Sequence, residues 1–175
     1  MNKATTSLVT LLAVWAGTLV GCQSTPRATG EPTAMSTSML DAIKSLEGEW
    51  SVAGEDGTTA TILFEVTAAN SAVRETMFPG EAHEMTNMYH FDGDSVVVTH
   101  YCAAGNQPRM RSTASSTPHD IDFAFDSVTN HRKGQHYMGG LRLVLVDANT
   151  LEEHWTSFDG GDHPPTTVFR MTRVR

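Results

Sequence analysis

The sequence predicts an all-β domain: an antiparallel up-and-down meander of about ten strands preceded by one short helix. Three observations predict it. Beyond Glu47, apolar and polar residues alternate with period two along most of the chain. Turn-forming residues interrupt that alternation about every ten positions. Helical spacing of apolar residues occurs once, immediately before the first strand. A flat meander of this length would leave two unpaired edges, so closure into a barrel is expected.

The elements follow in order. Lys3 and an apolar run from Leu8 to Val20 form the pattern of a secretory signal, too short for a comfortable bilayer crossing. Residues 23–37, rich in Ser, Thr, Pro and Gly, read as a polar tether that buries too little surface to order itself. A helix is expected from Met39 to Glu47, with Ser38 as N-cap, Asp41 in the first turn, Gly48 at the exit and Leu40, Ile43 and Leu46 on one stripe. In the strands, Ala60, Ile62, Phe64 and Val66 oppose Thr59, Thr61, Glu65 and Thr67. Ile121, Phe123 and Phe125 alternate with Asp120, Asp122 and Asp126. Leu141, Leu143 and Leu145 alternate with Arg142, Val144 and Val146, which predicts burial on both faces for part of that strand. Asp56-Gly57, Ala69-Asn70, Asp92-Gly93-Asp94, Gly105-Asn106, Asp147-Ala148-Asn149 and Asp159-Gly160-Gly161-Asp162 separate the runs.

Composition sets the class. The chain has 175 residues, a length that favours one folded domain. Its net charge of -8 argues against a nucleic-acid binder, which needs a basic surface. No second apolar stretch follows the first, which argues against a multispan membrane protein. Neither a Gly-x-Ser-x-Gly elbow nor a phosphate loop, a His-Glu-x-x-His pair or a dinucleotide fingerprint is present, so the sequence names no enzyme class.

Two resemblances sharpen this reading. Leu19-Val20-Gly21-Cys22 resembles the lipobox of bacterial lipoproteins, in which the Cys thiol accepts a diacylglyceryl group. The resemblance implies that residues 1–21 are removed, that Cys22 carries acyl chains, and that the chain attaches to the cell envelope. Gln23 rather than Asp at the next position implies the outer membrane, facing the periplasm. The domain layout is then a signal over 1–21, a lipidated tether over 22–37 and a barrel domain over 38–175. The second resemblance rests on Gly48-Glu49-Trp50 after a short helix, together with Arg173 in the last strand run. This pattern is similar to the calycins, which include lipocalins, fatty-acid-binding proteins and nitrobindin-like barrels. It implies that the Arg173 guanidinium stacks on Trp50 and closes the barrel base. It further implies a small hydrophobic or amphipathic ligand held inside. The segment from Tyr89 to Met110 is also similar to uncharacterised bacterial proteins of this group, which imply no activity.

Parity selects the residues able to meet a ligand. Val96, Val98, His100 and Cys102 share a face, and the two valines make it the interior one. Gln107 at the next hairpin and Arg109 in the next strand complete a polar cluster. Cys102 is the sole thiol once Cys22 is lipidated: it reads either as a nucleophile with His100 as base, which would make the barrel a thiol-dependent enzyme, or as a small buried apolar residue. Glu75 shares its face with Val73 and Met77; as a buried carboxylate it needs a partner, for which Arg109 is the candidate. Trp155 is read as inward-facing, which puts His154 outside. Nitrobindin-like proteins hold haem through a late His, so this parity weakens the haem reading, and no cofactor is expected. His131, His136, His83 and His90 lack zinc-type spacing, and no metal site is expected. A filled barrel that engages a partner through its outer surface would show the same alternation.

Overall fold

A computed structural model describes residues 30–54, 57–158 and 165–174. The signal segment, Cys22, and the turn positions Asp56 and Asp159 to Asp162 lie outside the described residues. One helix, α1 (Ala34–Lys44), precedes ten strands: β1 (Gly48–Ala53), β2 (Thr59–Thr67), β3 (Ala72–Met77), β4 (Met85–Asp92), β5 (Ser95–Tyr101), β6 (Gln107–Ser112), β7 (Asp120–Thr129), β8 (Tyr137–Asp147), β9 (Thr150–Phe158) and β10 (Thr166–Arg173). Every strand pairs antiparallel with its sequence neighbours, and β1 also pairs with β10, closing the barrel.

The helix starts five residues before the predicted Met39. Thr33 is the N-cap: its Oγ1 accepts from the Ser36 backbone N–H at 3.1 Å, and the Ser36 hydroxyl oxygen accepts from the Thr33 backbone N–H at 2.9 Å. This is a reciprocal capping box with Ser in the position usually held by Glu or Gln, which is why Ser38 looked the stronger start. Ser38 instead donates back to the Ala34 carbonyl inside the helix at 2.9 Å. Residues 34–37, read as the end of the tether, therefore belong to the helix. Met39, Leu40, Ile43 and Leu46 bury the helix and its exit against one end of the barrel. Gly48 opens β1 at φ 129°, a conformation L side chains rarely adopt.

That end is closed as the calycin pattern implies. Trp50 is fully buried, pairs in register with Arg173, and lies with its ring centroid 4.3 Å from the guanidinium carbon. Its Nε1 donates to the Leu46 carbonyl at 2.7 Å. Arg173 in turn donates to the carbonyls of Ser45, Glu47 and Ala148, tying the helix exit and the β8–β9 turn to the last strand. Inside, Phe64, Tyr89, Phe123 and Leu143 fill the middle of the barrel with Trp50.

Two strand expectations need correction. The outer face of β8 is not buried: Val146 is 47% exposed and Val144 only half-buried, so their valines reflect strand propensity rather than a covering layer. Phe125 continues the Ile121–Phe123 alternation in sequence, yet it is 43% exposed. A register shift between Arg109 and Met110 makes β6 pass from Ser127 to Phe125 on β7, breaking the alternation there. Phe125 packs on the exposed side against Tyr137, whose ring stacks on Phe158 at 5.8 Å.

Candidate functional site

The end of the barrel opposite α1 carries a row of polar side chains on its inner wall. Glu75 on β3 is in register with Asn87 on β4, and Asn87 with His100 on β5. All three are buried, alternating with the apolar Val73 and Met77, Met85 and Tyr89, and Val96 and Val98. Cross-strand neighbours on one face come within hydrogen-bonding reach, and these do. Asn87 Nδ2 donates to Glu75 Oε2 at 2.7 Å, and His100 Nδ1 lies 2.7 Å from Asn87 Oδ1. The Tyr89 hydroxyl donates to the same Glu75 oxygen at 2.7 Å.

A second buried carboxyl meets this row across the interior. Glu153 on β9 is fully buried, accepts from Trp155 Nε1 at 2.9 Å, and hydrogen-bonds the Glu75 carboxyl. Among the described residues, neither Glu75 Oε1 nor Glu153 Oε1 has a hydrogen-bond donor in another side chain or the backbone. Burial raises both carboxyls above the ordinary range. The two differ in what opposes burial. Hydrogen bonds from Asn87, Tyr89 and Glu153 favour the charged form of Glu75. Glu153 is pushed much higher, by burial and then by the neighbouring Glu75 charge. Two carboxyls this deeply buried and this close hold a proton that the pair shares. Tyr89 is raised well above its ordinary value by burial and by both carboxyls, so it stays a donor.

His100 ends the chain of hydrogen bonds. Its side chain is 1% exposed, and burial lowers its pKa to about 4. Among the described residues, its Nε2 has no hydrogen-bond partner. Beside it opens a pocket of about 100 Å³ lined by Met77, Met85, His100, Met138, Trp155, Thr167 and Phe169. The His100 and Trp155 rings are 4.9 Å apart. At the rim, Phe78 sits at φ 58° and packs edge-on against Phe169 at 5.9 Å. A bulky residue in the left-handed region is strained, and here it follows directly on Met77 of the pocket wall.

The predicted cluster divides at this point. Glu75, His100 and Trp155 are interior and joined by one network. Arg109 is not Glu75's partner: because Met110 faces the core, Arg109 faces outward, where it pairs with Asp92 at 2.8 Å and with Asp126 at 3.4 Å. Cys102 lies beyond the end of β5, half-buried in the turn, its N–H donating to the Asn106 carbonyl. His100 is bonded to Asn87 rather than to Cys102, so the structure assembles no thiol–imidazole pair. Gln107 holds the surface hairpin, donating to the Gly105 carbonyl and accepting from Thr129. Asn87, Tyr89 and Glu153 were not among the predicted site residues. Glu153 was accessible to the reasoning that found Glu75, since it shares a face with Leu151 and Trp155.

His154, the position at which the nitrobindin-like resemblance points to a haem ligand, faces outward and contacts Glu152 at 3.1 Å. The space before His100 is well below the roughly 300–1,000 Å³ of small-molecule and cofactor sites. The residues present do not fit haem. Among the described residues, no group of three or more His, Cys, Asp or Glu side chains is placed to hold a metal.

No protein-family model matches the sequence, and no curated protein matches it. Among solved structures, the crystal structure of Rv2717c from M. tuberculosis is similar, with a TM-score of 0.53 at 14% identity, covering 78% of this chain and 98% of that one. The likeness is one of fold. It agrees with a calycin-like barrel and carries no site residue across.

Proposed function

We propose that this protein is a lipid-anchored envelope protein that binds a small hydrophobic or amphipathic molecule at the open end of its barrel. The observation that carries the binding reading is the buried His100 Nε2, without a partner among the described residues, beside a pocket that is apolar apart from His100 and Thr167. Buried polar atoms are rarely left unpaired, and one facing an apolar pocket is the arrangement by which binding sites orient a ligand. At about 100 Å³ the pocket is smaller than the roughly 150 Å³ cavity known to hold benzene, so it takes at most one ring, with part of it at the open mouth. A longer molecule would leave its remainder at the mouth, near Phe78 and Phe169.

Native mass spectrometry of the freshly purified chain tests this. A retained small-molecule mass that disappears in His100→Ala is the expected result. A bare chain mass, with no added apolar molecule retained by either protein, would favour a filled barrel that works through its outer surface.

The anchor rests on Lys3, the apolar run and the motif ending in Cys22. Multiple acyl chains on one cysteine hold a protein stably, at about 0.8 kcal/mol per buried CH₂. Cys22→Ser is expected to move the chain from the membrane to the soluble fraction of expressing cells. Continued membrane association with no incorporated lipid label would overturn the lipoprotein assignment.

A further inference from the structure

The hydrogen-bond row does more than hold His100 in place. One end of the Asn87 amide faces two acceptors, Glu75 Oε2 at 2.7 Å, which also accepts from the Tyr89 hydroxyl, and Met77 Sδ at 3.5 Å. A thioether sulfur has no hydrogen to give, so the group of Asn87 on this side is the NH₂. This turns Asn87 Oδ1 toward His100, so the nitrogen 2.7 Å away, Nδ1, carries the hydrogen. A buried imidazole whose pKa is lowered to about 4 is neutral at physiological pH and carries one ring hydrogen. That hydrogen is committed to Asn87. Nε2 is left as a bare lone pair.

We propose that His100 offers the pocket an acceptor only, and that the molecule it selects is a ring-sized apolar group bearing an O–H or N–H donor, of which a phenol is the simplest form. The lining supports the ring. Met77, Met85 and Met138 supply polarizable thioethers, and Trp155 and Phe169 supply aromatic surface, which together suit a flat, electron-rich guest. A carbonyl, ether or carboxylate would set a lone pair against the Nε2 lone pair and leave both unpaired. The selectivity is for the donor: benzene, phenol and anisole share the ring, and of the three phenol alone has an O–H to give. The inference rests on the binding reading above, and the test separates the two.

The full chain, labelled with ¹⁵N in histidine and ¹³C at the methionine methyls, serves both arms. The ring ¹⁵N shifts report which nitrogen of His100 is protonated; a protonated Nδ1 with a bare Nε2 is expected. Titrations with phenol, anisole and benzene are followed at the Met77, Met85 and Met138 methyls. Phenol is expected to bind at least about tenfold more tightly than anisole, the value of one hydrogen bond to a buried group otherwise left unpaired. Equal binding of phenol and anisole, or a hydrogen found on Nε2, would overturn the donor rule while leaving the pocket a binding site. If no ring perturbs these methyls up to its solubility limit, the binding reading falls and the donor rule with it.

Discussion

Trp50→Ala is expected to lower the stability of the barrel by about 3–5 kcal/mol, the range for removing a fully buried large aromatic side chain. Three consequences combine at this position. The indole fills the base of the barrel and packs edge-on against Phe64 at 6.5 Å. Its Nε1 anchors the helix exit through the Leu46 carbonyl, and its face carries the Arg173 guanidinium. Its removal opens a cavity at the seam where the first strand meets the last, so the loss falls on the contact that closes the sheet. Against a total stability of about 5–15 kcal/mol, this is a large fraction. Arg173→Ala should cost less, because the carbonyls of Ser45, Glu47 and Ala148 that it caps can turn to water. The double mutant isolates the stacking contribution, for which about 0.5–2 kcal/mol is expected. Arg173→Lys should recover little, since a single ammonium lacks the planar face and the fork that reach the ring and three carbonyls together. Urea denaturation followed by far-ultraviolet circular dichroism measures all four proteins. A cost below about 1 kcal/mol for Trp50→Ala would show that the seam closes without the indole.

This seam was legible in the sequence because its signal is local at both ends. Trp50 stands at a fixed spacing after a helix and a glycine, and Arg173 shares its face with Met171 by simple parity. The strands were legible for a related reason. The barrel's outer wall is wet, so Glu65 faces Arg74 and Asp120 faces Arg142 as cross-strand ion pairs, and the apolar residues between them point inward. The site was legible residue by residue but not as a constellation. Parity found Glu75, His100 and Trp155. Proximity along the chain then grouped His100 with Cys102, Gln107 and Arg109, whereas barrel register groups it with Asn87 and, through that residue, with Glu75. Hydrogen bonds in a meander run across strands, so a polar side chain finds its partner a hairpin away in sequence. Arg109 was lost for the same reason. Its inner-face neighbour Met110 settles its direction, and its partner Asp92 comes from the β4–β5 hairpin. The helix start was missed because Ser at the third helical position closes the capping box here.

The buried carboxyl pair supplies the other large effect, and it separates two substitutions that look alike. Glu75→Gln is expected to destabilise the barrel by about 1–3 kcal/mol for each donor it strands, because Glu75 receives donors from Asn87, Tyr89 and Glu153 and an amide keeps only one acceptor oxygen. Glu153→Gln is expected to be far milder. Glu153 accepts from Trp155 and shares a hydrogen bond with Glu75, and a glutamine amide can accept the first and donate the second. The pH dependence gives the sharper test, and its sign follows from proton counts. The buried pair, both of whose carboxyls are raised, holds protons in the folded state above the ordinary value of 4.5, where the unfolded chain has released them. Stability therefore falls as pH rises above that value toward the raised one. His100 acts in the opposite sense. The unfolded imidazole takes a proton below its ordinary 6.5 and the folded one only near 4, so stability is lost as pH falls through that window. The titratable groups that meet inside are Glu75, Glu153, Tyr89 and His100, while Asn87 and Trp155 contribute dipoles without titrating. Wild-type stability should thus decline on both the acid and the alkaline side. Glu153→Gln should reduce the alkaline limb, leaving the part that Glu75 supplies, and keep the acid one, whereas His100→Phe should flatten the acid limb and keep the alkaline one. Urea midpoints measured across this pH range decide the matter, and an alkaline limb unchanged in Glu153→Gln would mean that Glu153 takes up no extra proton on folding and that the limb belongs to Glu75.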